Sequence, residues 1–514
     1  MAVDASRWRT LAAGALSGVL FALAFPPFGW VVLLPLALTP WLVALAFEPS
    51  PTRALLSGVV FAFAYWGLSI PWIAYVVTVY GGQSRLMGAV SVGLAAAILS
   101  PPFALVGWGT AGIASPGRAA RFAAFPLLWV GGEHLRTVFA AGFPWNLTAH
   151  ALYRHPVWLQ SACVWGAYGV GAAVAAVSAL LAHAAVTRRV RPIAIAAALV
   201  LALGVFGTLR LARPREVRPT LSVALLQPNL TEEDRSTSRR RIDGYFAVLA
   251  QLDEAARRGA ELLVVPESTL PIHWQGSDRL RSDLGAIAAR GSMILFNDFE
   301  EESEERYFNV ARLLDRKGLA GPPYRKVHLV PFGEYVPLPQ VFFFVRRISR
   351  AIGEFTPAPG PVLLRSGPVA IGVGVCYEII YPSLARQEVA DGANLLATVS
   401  NDSWYGRGGA QAQHFAGALL RSVETERALV RAAITGVSGI VDARGRILAE
   451  SRPDEKVTLF GTVRLETAMT VWTRWGYRLP VVADAAGLAV LLFGLVRAGR
   501  GRAPRMTHDP ETSA

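Results

Sequence analysis

From Leu11 to Leu211 the chain is a succession of long apolar segments separated by short polar or Gly/Pro-rich breaks, and a further apolar run covers Leu479 to Val496. A helix needs about 20 mostly apolar residues to cross the hydrocarbon of a bilayer, and unpaired backbone groups are costly there, so such segments have few ways to fold except as membrane helices. Hydrophobic residues make up 53% of the 514 and charged residues only 17%, which excludes an ordinary soluble enzyme. About eight spans are expected, starting near Leu11, Val31, Leu55, Met87, Phe122, Val157 and Pro192, with the last near Pro480. The first ends at Phe25-Pro26-Pro27. Its basic start and apolar middle also suit a cleaved signal peptide, but the apolar segments that follow favour a span.

Arginines collect at alternate breaks: Arg7 and Arg9, Arg53, Arg118 and Arg121, Arg188, Arg189 and Arg191, then Arg497, Arg500, Arg502 and Arg505. The positive-inside rule places these in the cytoplasm and the large polar segment outside; Arg210, Arg213 and Arg215 oppose this, but they flank a long translocated domain, for which the rule is weak. The net charge of +13 follows these membrane ends, where anionic headgroups attract it. No base-stacking motif accompanies it, which argues against nucleic acid. Within the spans Glu133 is expensive unless paired, and His134 and Arg136 are its nearest candidate partners. Two cysteines make no disulfide framework, and Cys163, in the apolar run Val157 to Leu181, reads as packing.

The expected organisation is a helical membrane domain over residues 1–215 with about seven helices, an α/β domain over 219–468, a transmembrane helix over 479–497 and a polar basic tail over 498–514. In the α/β domain, strands are expected at Ser222 to Gln227, Leu262 to Pro266, Met293 to Asn297, Asn309 to Leu314, Val369 to Val375, Leu395 to Val399 and Gly436 to Val441. Helices are expected from Ser238, as N-cap, to Arg257, and at Arg279 to Ala289, Pro382 to Ala390 and Ala410 to Arg431.

Three reactive residues stand out in this domain. Glu267 and Cys376 follow apolar strands, where α/β proteins place sites. Lys326 lies between them in the chain. Each has a plainer reading when taken alone: a helix cap or surface acid for Glu267, a solvated loop lysine for Lys326, a small buried hydrophobe for Cys376. Gly372 and Gly374 thin the strand before Cys376, allowing close backbone or ligand approach, and a helix opened by Pro382 follows. At such a turn a thiol gains N–H donors for an oxyanion, and a helix N-terminus favours its thiolate. Carboxylate, amine and thiol together suit covalent acyl chemistry. No Cys/His cluster has metal-ligand spacing, and no phosphate-binding loop is present, so neither metal nor cofactor is expected. The run Val341-Phe342-Phe343-Phe344-Val345 before Arg346-Arg347 suits a lid dipping into the membrane interface, or a buried helix.

Pro266-Glu267, Arg325-Lys326, the run His328-Leu329-Val330-Pro331-Phe332-Gly333-Glu334, Val375-Cys376-Tyr377-Glu378 and Asn401-Asp402-Ser403-Trp404-Tyr405-Gly406 together resemble the carbon-nitrogen hydrolase (nitrilase) superfamily. With Phe25-Pro26-Pro27-Phe28-Gly29 and Gly142-Phe143-Pro144-Trp145 in the apolar half, the chain resembles its membrane-embedded branch, the apolipoprotein N-acyltransferase family. The resemblance implies an αββα sandwich joined to membrane helices. It implies Glu267 as general base, Lys326 as oxyanion stabiliser and Cys376 as nucleophile. Tyr377 would supply an oxyanion N–H, Glu334 and Glu378 would be supporting carboxylates, and Trp404 would line the acyl pocket or a mobile loop. It further implies a ping-pong reaction at the outer face of the bacterial inner membrane. The sn-1 acyl chain of a phospholipid, typically phosphatidylethanolamine, passes to the cysteine as a thioester, and then to the α-amino group of a diacylglyceryl-cysteine apolipoprotein. A monomer suffices for this. A membrane-tethered amidase passing the acyl group to water is the alternative, and a transporter or lipid-binding scaffold with a degenerate hydrolase domain is a third, opposed by the intact Glu-Lys-Cys set and the scarcity of charge in the spans.

Overall fold

The computed structural model describes residues 6–112, 118–139, 142–214, 216–231, 234, 237–303, 306–336 and 355–500. Among these, the polar half forms the strands β1 (Thr220–Gln227), β2 (Leu262–Val264), β3 (Met293–Ser303), β4 (Arg306–Leu314), β5 (Tyr324–Arg325), β6 (Leu364–Ser366), β7 (Val369–Val375), β8 (Leu395–Ser400), β9 (Leu429–Ala433), β10 (Gly439–Val441), β11 (Ile447–Glu450) and β12 (Val457–Arg464). They make two six-stranded sheets, ordered β12-β1-β2-β3-β4-β5 and β11-β10-β9-β8-β7-β6. Each sheet has a parallel centre, β1-β2-β3 in one and β7-β8-β9 in the other, bordered by antiparallel strands.

Side chains alternate across a strand, so each central strand feeds two layers. Val223, Leu225, Val264 and Leu295 face Ile371, Val373, Val375 and Val399 between the sheets. The outer face of the first sheet, with Ala224, Leu226 and Ile294, is covered by Tyr245, Val248 and Leu252 of helix Ser238–Arg257 and by Leu280 and Leu284 of helix Asp278–Ala288. The second sheet is covered by helices Pro382–Ala390 and Ala410–Thr425. This is the expected αββα sandwich.

Beyond the second sheet the packing does not stop at solvent. Phe415 and Leu419 of helix Ala410–Thr425 belong to one apolar cluster with Phe21, Trp41, Phe61, Trp129 and Tyr168 of the helical half. Nearly every residue of that helix is therefore buried.

Helices cover each of the eight expected span positions, but they are not equally suited to crossing a membrane. Among the described residues Ala162–Thr187 and Arg191–Ala212 are long and apolar enough; the number rises to four if each of two bent pairs is one span, Pro51–Ser69 with Trp72–Tyr80 (58°) and Arg85–Ile98 with Pro101–Gly112 (42°). The segment from Val31 is broken into Val31–Leu33, Leu34–Ala37 and Thr39–Phe47, with prolines at Pro35 and Pro40, and Arg118–Val138 carries Arg118, Arg121, Glu133 and Arg136.

Within the sandwich several boundaries differ from expectation. Thr237, not Ser238, caps helix Ser238–Arg257, its side chain accepting from the Arg240 N–H. The helix from Ala410 stops at Thr425, because Glu426 turns left-handed (φ 56°) and the chain re-enters the sheet as β9. The strand expected from Gly436 begins only at Gly439. The aromatic run at residues 341–347 lies outside the described residues.

Candidate active site

The ends of β2, β7 and β8 and the segment after β5 converge on one buried cluster. Cys376 follows β7 directly, with a left-handed backbone (φ 56°) and 7% exposure. The thinning glycines serve the protein rather than a ligand: a Cβ at Gly372 would meet Glu388, and one at Gly374 would meet Ile379, both at 2.9 Å. The strand can thus turn sharply onto the helical layer.

Glu267, three residues past β2, points inward. Its Oε1 accepts from Asn309 Nδ2 (3.0 Å) and its Oε2 from the Asn401 N–H (3.0 Å). Lys326 Nζ lies 3.9 Å from Glu267 Oε1 and donates to Glu334 Oε1 at 2.9 Å. Asn309 Nδ2 also donates to Glu334 Oε1 (2.9 Å), so this one amide holds both carboxylates. Lys326 is 1% exposed, which removes the solvated-loop reading. Burial works against its charge, but Glu334 and then Glu267 outweigh it and hold its pKa above the ordinary lysine value.

The Cys376 thiol shifts the other way from the expectation of a helix-favoured thiolate. Burial, then the charge of Glu267, push its pKa up, and Lys326 only partly offsets them. The following helical turn, Cys376–Ile380, is a short 3-10 segment and too small to dominate. At rest Cys376 is therefore a thiol, and nucleophilic chemistry there would require a base at the moment of attack.

Glu378 is fully buried and is no solvated acid. Its Oε1 accepts from Tyr324 OH (2.7 Å) and the Val375 N–H (2.7 Å), and its Oε2 from the N–H groups of Val327 (3.0 Å) and His328 (3.1 Å). It thus clasps the segment carrying Lys326 against the end of β7. Four donors suit an ionised carboxylate, although burial pushes its pKa up to about 7. Glu334 similarly closes its own turn by accepting from the Val330 N–H (2.9 Å).

The remaining wall comes from the helical half. Tyr377 OH (3.2 Å) and Tyr381 OH (2.9 Å) both donate to the Gly142 carbonyl. Trp145 packs on Tyr405 and His414, and Trp404 packs on Tyr80, with ring centroids 4.5 Å apart. Gln413 is held by Trp145 Nε1 (2.6 Å) and donates to the Pro26 carbonyl (2.7 Å). Both apolar-half sequence marks therefore meet the sandwich, Gly142 to Trp145 at Tyr377, Tyr381 and Gln413, and Phe25 to Gly29 at Gln413.

Sequence reasoning missed the groups behind Cys376. Ser400, Asp402, His414 and Arg431 form a buried polar network there, and Asn309 bridges the two acids. Asp402 was visible inside the run after Asn401; His414 and Arg431 sat in a stretch read as helix and carried no local signal. Elsewhere, Glu133 is paired with Arg136 (3.4 Å) and accepts from Thr148, whereas His134 pairs with Asp484 of the C-terminal helix (2.6 Å). Cys163 is buried and unbridged. No group of three or more metal-ligating side chains occurs among the described residues.

Residues 222–471, which hold the sandwich and its thiol, match the family model of the carbon-nitrogen hydrolases, and that is the class of this domain. Residues 17–180 match a second model, the apolipoprotein N-acyltransferase N-terminal domain. An apolipoprotein N-acyltransferase of Geobacter metallireducens is 33% identical over 510 residues, covering 95% of this chain and 96% of that protein. One of Gloeobacter violaceus is 30% identical, with 94% of each chain covered. A carbon-nitrogen hydrolase structure from Helicobacter pylori aligns with 51% of this chain and 93% of its own at 18% identity, with a TM-score of 0.37. The chain belongs to the apolipoprotein N-acyltransferase family.

Proposed function

We propose that the protein moves an acyl chain from the sn-1 position of a phospholipid, typically phosphatidylethanolamine, to the α-amino group of the diacylglyceryl-cysteine at an apolipoprotein N-terminus. Glu267 takes the Cys376 proton as Sγ attacks the ester carbonyl. Lys326 Nζ and the Tyr377 N–H receive the tetrahedral oxyanion. Collapse breaks the ester C–O bond, and the departing lysophospholipid oxygen recovers the proton from Glu267. In the second half the free amine attacks the thioester, Glu267 accepts its proton, and the thiolate leaves and is reprotonated. Glu334 and Glu378 hold Lys326 in place, and Trp404 lines the acyl pocket.

The observation that carries this reading is the shared wall: Tyr377, beside the thiol, is bound to Gly142 of the helical half. Both substrates carry acyl chains that are costly to draw out of a bilayer, at about 0.8 kcal/mol per CH₂, so chemistry beside membrane helices avoids that cost. The arginine distribution supports eight spans in the bacterial cytoplasmic membrane with the sandwich on the extracytoplasmic side. One catalytic set within one chain suits a monomer.

The test is to incubate the purified protein with acyl-labelled phospholipid, look for a thioester on Cys376, and then add a diacylated lipopeptide. Label should reach the cysteine and then the peptide amine. A cysteine that is never labelled, or label released only to water, would overturn the proposal, the latter in favour of a hydrolase.

A further inference from the structure

His414 lies in the middle of the buried helix Ala410–Thr425, fully enclosed, with each ring nitrogen near a partner. Nε2 is 3.1 Å from the carbonyl oxygen of Cys376. Nδ1 is 3.1 Å from Asp402 Oδ1 and 3.1 Å from Arg431 Nη2. A carbonyl can only accept, so Nε2 must carry the proton for that contact to be a hydrogen bond. Arg431 can only donate, and its Nη2 has two protons: one serves Asp402 Oδ2 at 2.7 Å, leaving the other for Nδ1. Asp402 Oδ1 already accepts from Ser400 Oγ at 2.6 Å, so the carboxylate does not depend on the imidazole. Burial and the Arg431 charge both disfavour an imidazolium here.

We infer that His414 is a positioning residue for the nucleophile. As a neutral ring, protonated on Nε2 and fixed in that tautomer by Arg431, it pins the Cys376 carbonyl and hence the left-handed backbone from which the thiol reaches substrate. A left-handed conformation is unfavourable for a non-glycine residue, so something must hold it. The hydrogen bond from His414 acts on the carbonyl of the residue under strain. Its ring does not touch the reacting atoms and moves no proton during turnover.

The inference rests on Cys376 as the nucleophile and is separable from it. Full activity in Cys376→Ser would sink the acyl-enzyme reading, whereas an essential Cys376 with an unimpaired His414→Leu would sink only this one. In the full-length protein, His414→Leu should lower kcat for thioester formation about 10²-fold, the scale of a misplaced reacting group, with KM for phospholipid unchanged. His414→Gln, whose amide nitrogen can reach the same carbonyl, should recover most of the loss. Failure of Gln to rescue, or a rise in KM without a fall in kcat, would overturn the proposal. Should the leucine variant not fold, the native protein decides. In histidine-labelled protein, the ring of His414 should show a protonated Nε2 and bare Nδ1 in nitrogen NMR, unchanged from pH 5 to 9. A titrating ring, or one protonated on Nδ1, would refute it.

Discussion

In the proposed reaction Lys326 meets the developing oxyanion, while Glu378 holds the segment that presents it. Removing an oxyanion donor costs on the order of 10²- to 10³-fold in rate, so Lys326→Ala should lose that much in thioester formation; labelling of Cys376 at a near-native rate would exclude the role. Glu378 predicts a pH dependence. Its folded pKa, about 7, exceeds the usual carboxylate value near 4.3, so its share of stability is present below that value and is lost as pH rises through about 7. Activity runs the opposite way, because only the carboxylate accepts from Tyr324, Val375, Val327 and His328 together. Thioester formation should therefore fall as pH drops below about 7 in the native protein. Glu378→Gln should be slow throughout and lack that limb; a limb left in place would assign it to another group.

At the scale of elements, helix Ala410–Thr425 decides how the two halves meet. Gln413 accepts from Trp145 and donates to the carbonyls of Pro26 and Ser69, and Gln413→Ala leaves all three groups buried without it. Each orphaned group costs about 1–3 kcal/mol, so the melting temperature should fall by several degrees; an unchanged melting curve would mean the seam repairs itself. This helix also shows where sequence stops being informative. Its start, and the strands β1, β7 and β8, were legible because apolar spacing and flanking glycine or proline are local signals. Its end was not, since apolar residues continue past Thr425 into β9 and only the left-handed Glu426 marks the break. For the same reason Glu267, Lys326 and Cys376 could be picked out as a chemical set, while His414 and Arg431, which act through contacts distant in sequence, could not.

For the whole molecule, the sandwich keeps two apolar clusters of its own and shares a third with the helical half. The cluster that holds Phe415 and Leu419 also holds Phe21, Trp129 and Tyr168. A fragment covering residues 217–468 should therefore expose an apolar face and fail to stay soluble and monodisperse without detergent; a soluble fragment with native tertiary circular dichroism would show that the seam is dispensable. Domains that touch through small polar interfaces swing against each other, and this pair lacks that freedom. The height of the Cys376 sulfur over the membrane helices is then a constant of the molecule, like the gap in a gauge. In the proposed reaction that length would select which ester bond of a bilayer lipid reaches the thiol.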